Sequence, residues 1–227
     1  MFSKITSVCL IVLLSFVSCS KKVKIRFPSA PISIQQKATH MLHLIAVDSE
    51  GNEHPDGMCT VTSIGPHVLL GAKHCFEEFD KIVTLDLSTF KYHVLAATED
   101  YQEHIMVAVD GPEFTNYIDL SKSSREVVPG EAVYMYGCGA GAYPPRLLSG
   151  NQIPDFDSQS EVDQAAHIQQ FSMHDVPGDS GAAIFGEDGK IVALVTYGHD
   201  KTTVGFGLNF TPDQIEVALT AGKGQTL

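Results

Sequence analysis

Ser180 stands in the turn Val176-Pro177-Gly178-Asp179-Ser180-Gly181, and His74 in the stretch Gly71-Ala72-Lys73-His74-Cys75, more than a hundred residues upstream. A serine hydroxyl becomes a nucleophile only when a base takes its proton and donors await the charge that develops on the attacked oxygen. Imidazole is the common base, because its ordinary pKa lets it take up and release a proton near neutral pH. Glycines at 178 and 181 give the turn access to conformations closed to other residues, so the amides of Gly178 and Ser180 can point into one small space. Together these residues would carry out nucleophilic acyl transfer. The turn by itself says less, since glycine, aspartate and serine also crowd idle loops.

The upstream stretch narrows the reading. It runs "GMCTVTSIGPHVLLGAKHCF", with a cysteine, an apolar hairpin and then His74-Cys75. Cys59 and Cys75 are sixteen apart across that hairpin, and a bridge closing such a loop contributes about 3 kcal/mol in the chain-entropy treatment. This pair of motifs, in this order, resembles the chymotrypsin-like (trypsin-fold) serine proteases. That family keeps a histidine beside a cysteine at a strand end, bridged to a cysteine sixteen residues earlier, and a "GDSGGP" turn around the nucleophile.

The resemblance runs from about Met41 to Ala221 and implies a role for each matching position. Ser180 is expected as nucleophile, His74 as general base, and the amides of Gly178 and Ser180 as the oxyanion hole. Thr196, Tyr197 and Gly198 fall where the family keeps a strand that pairs with the substrate backbone. Gly205 resembles the glycine lining the primary specificity pocket, and a Cys59–Cys75 disulfide is implied. The substrate is then polypeptide, with no cofactor and no metal.

Three departures from the family pattern matter. The family sets an orienting aspartate before an apolar strand; here "HIMVAV" puts His104 in that slot. His104 is therefore expected as the third member, with Asp100 next, since strand alternation turns Glu103 to the face opposite residue 104. A neutral imidazole can hold the base's tautomer but brings no negative charge, and disabling the orienting aspartate elsewhere costs about 10⁴ in turnover. Two classes of function stay open: an active serine endopeptidase, or an inert protease-shaped protein that grips peptides along its cleft.

The second departure is the lack of an "IVGG"-like start, whose freed amino terminus pairs in the trypsin branch with the aspartate before the serine. Asp179 must find another donor, and no zymogen step is expected. In the third, "GDSGAA" replaces "GDSGGP", which two small alanines tolerate. His174 stands six residues before Ser180, where trypsin-like members keep the aspartate that selects basic side chains; Asp175 follows it. Cleavage after lysine or arginine is not expected.

Other chemistries fit poorly. Ten histidines invite a metal, yet none forms "HExxH", and His40 with His43 lacks a nearby third ligand. An α/β-hydrolase needs "GxSxG" and a histidine after the serine, and only His199 follows Ser180. "YGCGAGAYP" has no following helix to cradle a phosphate and reads as a loop lining the cleft. A formal charge of −12 argues against nucleic acid.

The elements that must hold these residues are short and β-rich. A chain of 227 residues, 44% apolar, is long enough for a substantial core. Roughly ten strands separated by turns such as Gly65-Pro66 and Glu187-Asp188-Gly189 indicate an all-β chain, not βαβ units. Joined to the resemblance, this gives two six-stranded antiparallel barrels of the chymotrypsin type, at about 39–120 and 126–210, and a short C-terminal helix at about 212–221. Thr211 caps that helix, Pro212 suits its first turn, and Gly222 lies just past its end.

Ahead of the protease-like region (39–227), residues 1–18 read as a signal peptide, with Lys4 before an apolar run from Ile5 to Val17. Phe16-Val17-Ser18-Cys19 resembles the lipobox of bacterial lipoproteins, making Cys19 the expected lipidated residue; ordinary cleavage nearby is the alternative. Residues 19–38 are polar, basic and proline-punctuated, as a tether to a membrane surface would be. The expected location is the bacterial cell envelope, or otherwise the periplasm or exterior. Export permits disulfides, and Cys138 is left as the odd, buried thiol.

Overall fold

The computed structural model describes residues 33–47, 50–76, 82–85, 91–154, 168–199 and 201–223. The signal peptide, Cys19 and most of the tether lie outside the described residues. No helix among those described is long and apolar enough to cross a membrane.

Six strands form a closed antiparallel barrel: β1 (Thr39–Val47), β2 (Glu53–Gly65), β3 (Val68–Ala72), β4 (Ile82–Leu85), β5 (Lys91–Glu99) and β6 (His104–Asp110), ordered β1-β2-β3-β6-β5-β4. Pairing of Leu42 with Leu85 closes it, which leaves no open edge. Cys59 on β2 is bonded to Cys75 just beyond β3, and both sulfurs sit in the barrel interior with Leu69, Ile105 and Val107.

A second set of six strands follows: β7 (Ala132–Gly137), β8 (Arg146–Asn151), β9 (Ile168–Phe171), β10 (Ala183–Gly186), β11 (Ile191–His199) and β12 (Thr202–Phe206). Their order is β8-β7-β10-β11-β12-β9. The outer strands approach one another through a Gln152–Phe171 bridge and the bond from Ile153 N to Gln170 O. The molecule is thus mostly β, as its alternating pattern implies, and matches the chymotrypsin type of architecture.

A core shared by both halves fixes how they meet. Ile64, Leu70 and Met106 from the first pack with Phe185 and Leu194 from the second, and Leu120 from the segment between them joins the same cluster. Strands β3 and β6 are buried along almost their whole length, because one face lines the barrel and the other faces this junction. On β6, Ile105 and Val107 turn inward to the barrel while Met106 joins the shared core. A short helix α1 (Ile34–Lys37) precedes β1, and α2 (Pro212–Ala221) closes the chain over the junction with Ile215 and Ala218. The α2 N-terminus is a capping box: Thr211 Oγ1 accepts from Gln214 N, and the Gln214 side chain accepts from Thr211 N.

Candidate active site

β3 ends in a 3-10 turn, Lys73–Cys75, that carries His74 to the surface. Three links hold this turn. The disulfide pins Cys75 to β2, Lys73 N donates to Glu103 O at 2.8 Å, and Lys73 Nζ meets Glu99 at 2.9 Å. The ring is held separately: His74 Nδ1 lies 2.8 Å from Glu103 Oε1, and the same oxygen accepts from His74 N at 2.8 Å. This bond commits Nδ1 to carrying the proton and leaves Nε2 as the basic nitrogen.

The structure redirects the expectation for the third position. His104 does not meet His74. It lies on the junction face of β6 with Met106, fully buried, against the rings of Phe206 and Phe210. Its Nδ1 is 2.5 Å from Asp100 Oδ2, and its Nε2 is buried without a partner among the described residues. Asp100 also stays away from the base. Its carboxylate accepts from the amides of Gln102, His104 and Asn209, the last from the second half of the molecule. Burial alone would raise the Asp100 carboxyl, but the His104 contact and the two nearby amides hold it below the usual carboxylate value. Glu103 and His104 do part, as alternation expects; the base lies on the side of Glu103 and not on that of His104.

The nucleophile turn is built on buried charge. Asp179 is fully buried; its Oδ1 accepts from Gly139 N at 2.7 Å, and its Oδ2 from Val176 N at 3.0 Å and from the Arg146 guanidinium. Arg146 thus supplies the buried carboxylate with a charged donor. The glycine-rich segment around it makes room: a Cβ on Gly137 or Gly139 would fall 2.2 or 2.6 Å from that carboxylate. The segment read as a cleft-lining loop is thus a cradle for Asp179. Arg146 and these glycines carried no signal in sequence, because their partner lies more than thirty positions away.

The two motifs meet through backbone. Gly178 and Gly181 have φ of +100° and +82°, in the region open to glycine. A Cβ on Gly181 would lie 2.4 Å from Thr60 O and 2.8 Å from Ala72 N, so the turn rests directly on β2 and β3, two residues before His74. Thr60 N donates to Ser180 O at 2.9 Å. The hydroxyl of Ser180 has one partner among the described residues, Thr196 O at 3.5 Å, and no bond to His74. Neither the Gly178 nor the Ser180 amide donates to another protein group among those described.

Beside the turn, β11 outruns β10, whose ladder ends at Ala183–Leu194. Val195 still bonds Ala182 O and Gly181 N, and Thr196 O accepts from the Ser180 hydroxyl, while Tyr197 and Gly198 lie beyond the β10 ladder. Thr196 is bulged out of the β12 register and buried, whereas Tyr197 and Gly198 are exposed. Gly205 is packed so closely on β11 that a Cβ would meet Leu194 O at 2.7 Å. His174 is exposed; its neighbour Asp175 turns inward, accepting from Thr203 Oγ1 at 2.8 Å and lying against Gly198. Donor atoms of Cys59, His74 and Cys75 lie within 4.8 Å of one another, but both sulfurs are committed to the disulfide and cannot ligate a cation.

The family model for Trypsin matches residues 33–212. No curated protein sequence matches this chain. Among solved structures it is similar to that of Rv3671c from M. tuberculosis H37Rv, a serine-to-alanine mutant in its inactive form. The two are 12% identical with a TM-score of 0.57, over 86% of this chain and 92% of the other. At that identity the likeness speaks to fold alone.

Proposed function

The chain belongs to the trypsin family, and from that premise we propose that it is an exported serine endopeptidase acting through an acyl-enzyme at Ser180. The observation that carries this reading is the seating of the 178–181 turn on Thr60 and Ala72, beside a histidine whose Nδ1 is held by a carboxylate. Each requirement of the chemistry has a candidate at hand.

Rotation of the Ser180 side chain away from Thr196 O brings its hydroxyl toward His74. Serine Oγ then bonds to the scissile carbonyl carbon as its proton passes to His74 Nε2. Charge on the carbonyl oxygen is met by the amides of Gly178 and Ser180. The C–N bond breaks as His74 returns the proton to the departing amine. Water, deprotonated by the same nitrogen, then releases the acid and restores the hydroxyl. Glu103, in place of His104, holds the tautomer and balances the imidazolium. Extended substrate adds a strand along Thr196–Gly198.

The inert peptide-binding alternative drew its strength from a third position lacking negative charge. Glu103 supplies that charge, so the enzyme is the better reading. Location at the cell envelope, through Cys19, belongs to the same proposal and rests on the leader. Incubation with a fluorophosphonate and with fluorescent casein tests the activity: stoichiometric modification and peptide release, both lost in Ser180→Ala, are expected. Folded wild type that neither reacts nor digests casein would leave the binder.

A further inference from the structure

We propose that Thr60 is a positioning residue for the oxyanion-binding turn, acting through a hydroxyl shared between the two halves of the molecule; this deepens the hydrolase reading and rests on it. Thr60 lies on β2, next to disulfide-bonded Cys59, and is fully buried. Its Oγ1 donates to Gly178 O at 2.7 Å and accepts from Cys138 N at 3.0 Å. The direction is unambiguous, because an amide can only donate and a carbonyl only accept. Its backbone N holds Ser180 O at 2.9 Å.

These bonds bear on where the two amides point. A peptide unit is planar, so fixing a carbonyl oxygen fixes the N–H on its other side. The Gly178 amide is set by Pro177 O, which accepts from Ala140 N at 2.9 Å; the Ser180 amide is set by Asp179 O, which accepts from Ala182 N at 2.9 Å. Ala140 belongs to the short loop that begins at Cys138, and Cys138 N is what the Thr60 hydroxyl holds. One side chain of the first barrel therefore ties together the loop that aims the Gly178 amide and the carbonyl of Gly178 itself. Through Cys59 and Cys75 the same residue is also tethered to the turn bearing His74. Base and oxyanion donors share a common reference point across the junction.

Valine at this position keeps the volume but removes the hydroxyl's bonds to Gly178 O and Cys138 N, and the buried Gly178 carbonyl loses its donor, a state the backbone relieves by turning one peptide. Serine keeps both bonds. Alanine removes the hydroxyl and leaves room for water, which covers the case of a valine variant that fails to fold.

The test is the kinetics of fluorophosphonate labelling at Ser180, separated into kinact and KI, with thermal melting to establish that each variant is folded. Thr60→Val and Thr60→Ala are expected to lower kinact by about 10- to 100-fold, below the full loss of one oxyanion donor. KI should stay within about twofold and Thr60→Ser within about threefold of wild type on both constants. A purely structural role would lower melting temperature without this split. Labelling of wild type with equal kinact in all folded variants overturns the proposal and leaves the hydrolase reading intact. Serine as slow as alanine also overturns it, since the hydroxyl would not be the group that matters. A wild type that is never labelled removes the hydrolase reading and this inference with it.

Discussion

One carboxylate oxygen of Glu103 takes both the backbone amide and the ring Nδ1 of His74, each at 2.8 Å. A single oxygen thus fixes the position of the turn and the tautomer of the ring. Replacement by glutamine keeps the shape but removes the charge, and an amide can present its NH₂ to the ring and invert the tautomer. Glu103→Gln is expected to lower kcat by about 10³- to 10⁴-fold, the scale known for an orienting aspartate, with KM little changed. Steady-state kinetics on casein-derived peptides measure it; a loss under tenfold would assign the orienting role elsewhere.

Asp100 presents a different phenotype. It gathers His104 Nδ1 and the amides of Gln102, His104 and Asn209, bracketing Glu103 without touching His74. Asp100→Ala strands the two buried donors of His104, its amide and its Nδ1, at about 1–3 kcal/mol for each one that finds no water. Urea denaturation should therefore show a larger loss of stability than Glu103→Gln does. Activity of the folded fraction should fall much less than in that variant. A kcat collapse equal to that of Glu103→Gln, with unchanged stability, would make Asp100 part of the relay.

Arg146 meets Asp179 where the fold holds that carboxylate fully buried. Arg146→Met leaves an uncompensated buried charge, a defect of about 3–5 kcal/mol, most easily relieved by the turn swinging outward. Fluorophosphonate labelling should be lost or greatly slowed. Protein purified with residues ahead of Ser33 intact should label as fast as protein trimmed there. Activation by trimming would show that Arg146 alone does not satisfy Asp179.

His40 is buried beside Ser63 Oγ, 3.0 Å from its Nε2, and against the ring of Phe114. Burial lowers its pKa from 6.5 to about 4. The unfolded chain takes up this proton near 6.5 and the folded chain only near 4. Its contribution to stability is therefore full above 6.5, falls as pH drops through that window, and levels off below 4. The loss amounts to about 3 kcal/mol. Urea unfolding at pH 7 and pH 4.5 should show a smaller difference for His40→Gln than for wild type; equal differences would place the acid sensitivity elsewhere.

How much of this was legible in the chain depends on distance along it. The strand-rich architecture and the Thr211 cap follow from local pattern, and the Cys59–Cys75 bridge from the family resemblance. Alternation separates Glu103 from His104 but does not say which of the two meets the base. His104 was placed in the relay by alignment to an apolar strand, yet alternation within β6 sends it to the junction with Met106. Arg146, Thr60 and the glycines around Cys138 act on partners brought near only by the packing of two barrels. Nothing in their own neighbourhoods marks them. Asp179 did announce the need for a donor, because a buried carboxylate cannot stay unpaired, but not which residue would answer it.

The claim underlying the rest is that the imidazole at 74 activates the hydroxyl at 180. The most direct measurement is the second-order rate of phosphonylation at Ser180 in His74→Ala against wild type, with the modified residue located by peptide mass spectrometry. A fall of at least about 10³-fold in folded protein is expected, since an unassisted serine is a poor nucleophile. An unchanged rate, or a label found on another residue, would contradict it.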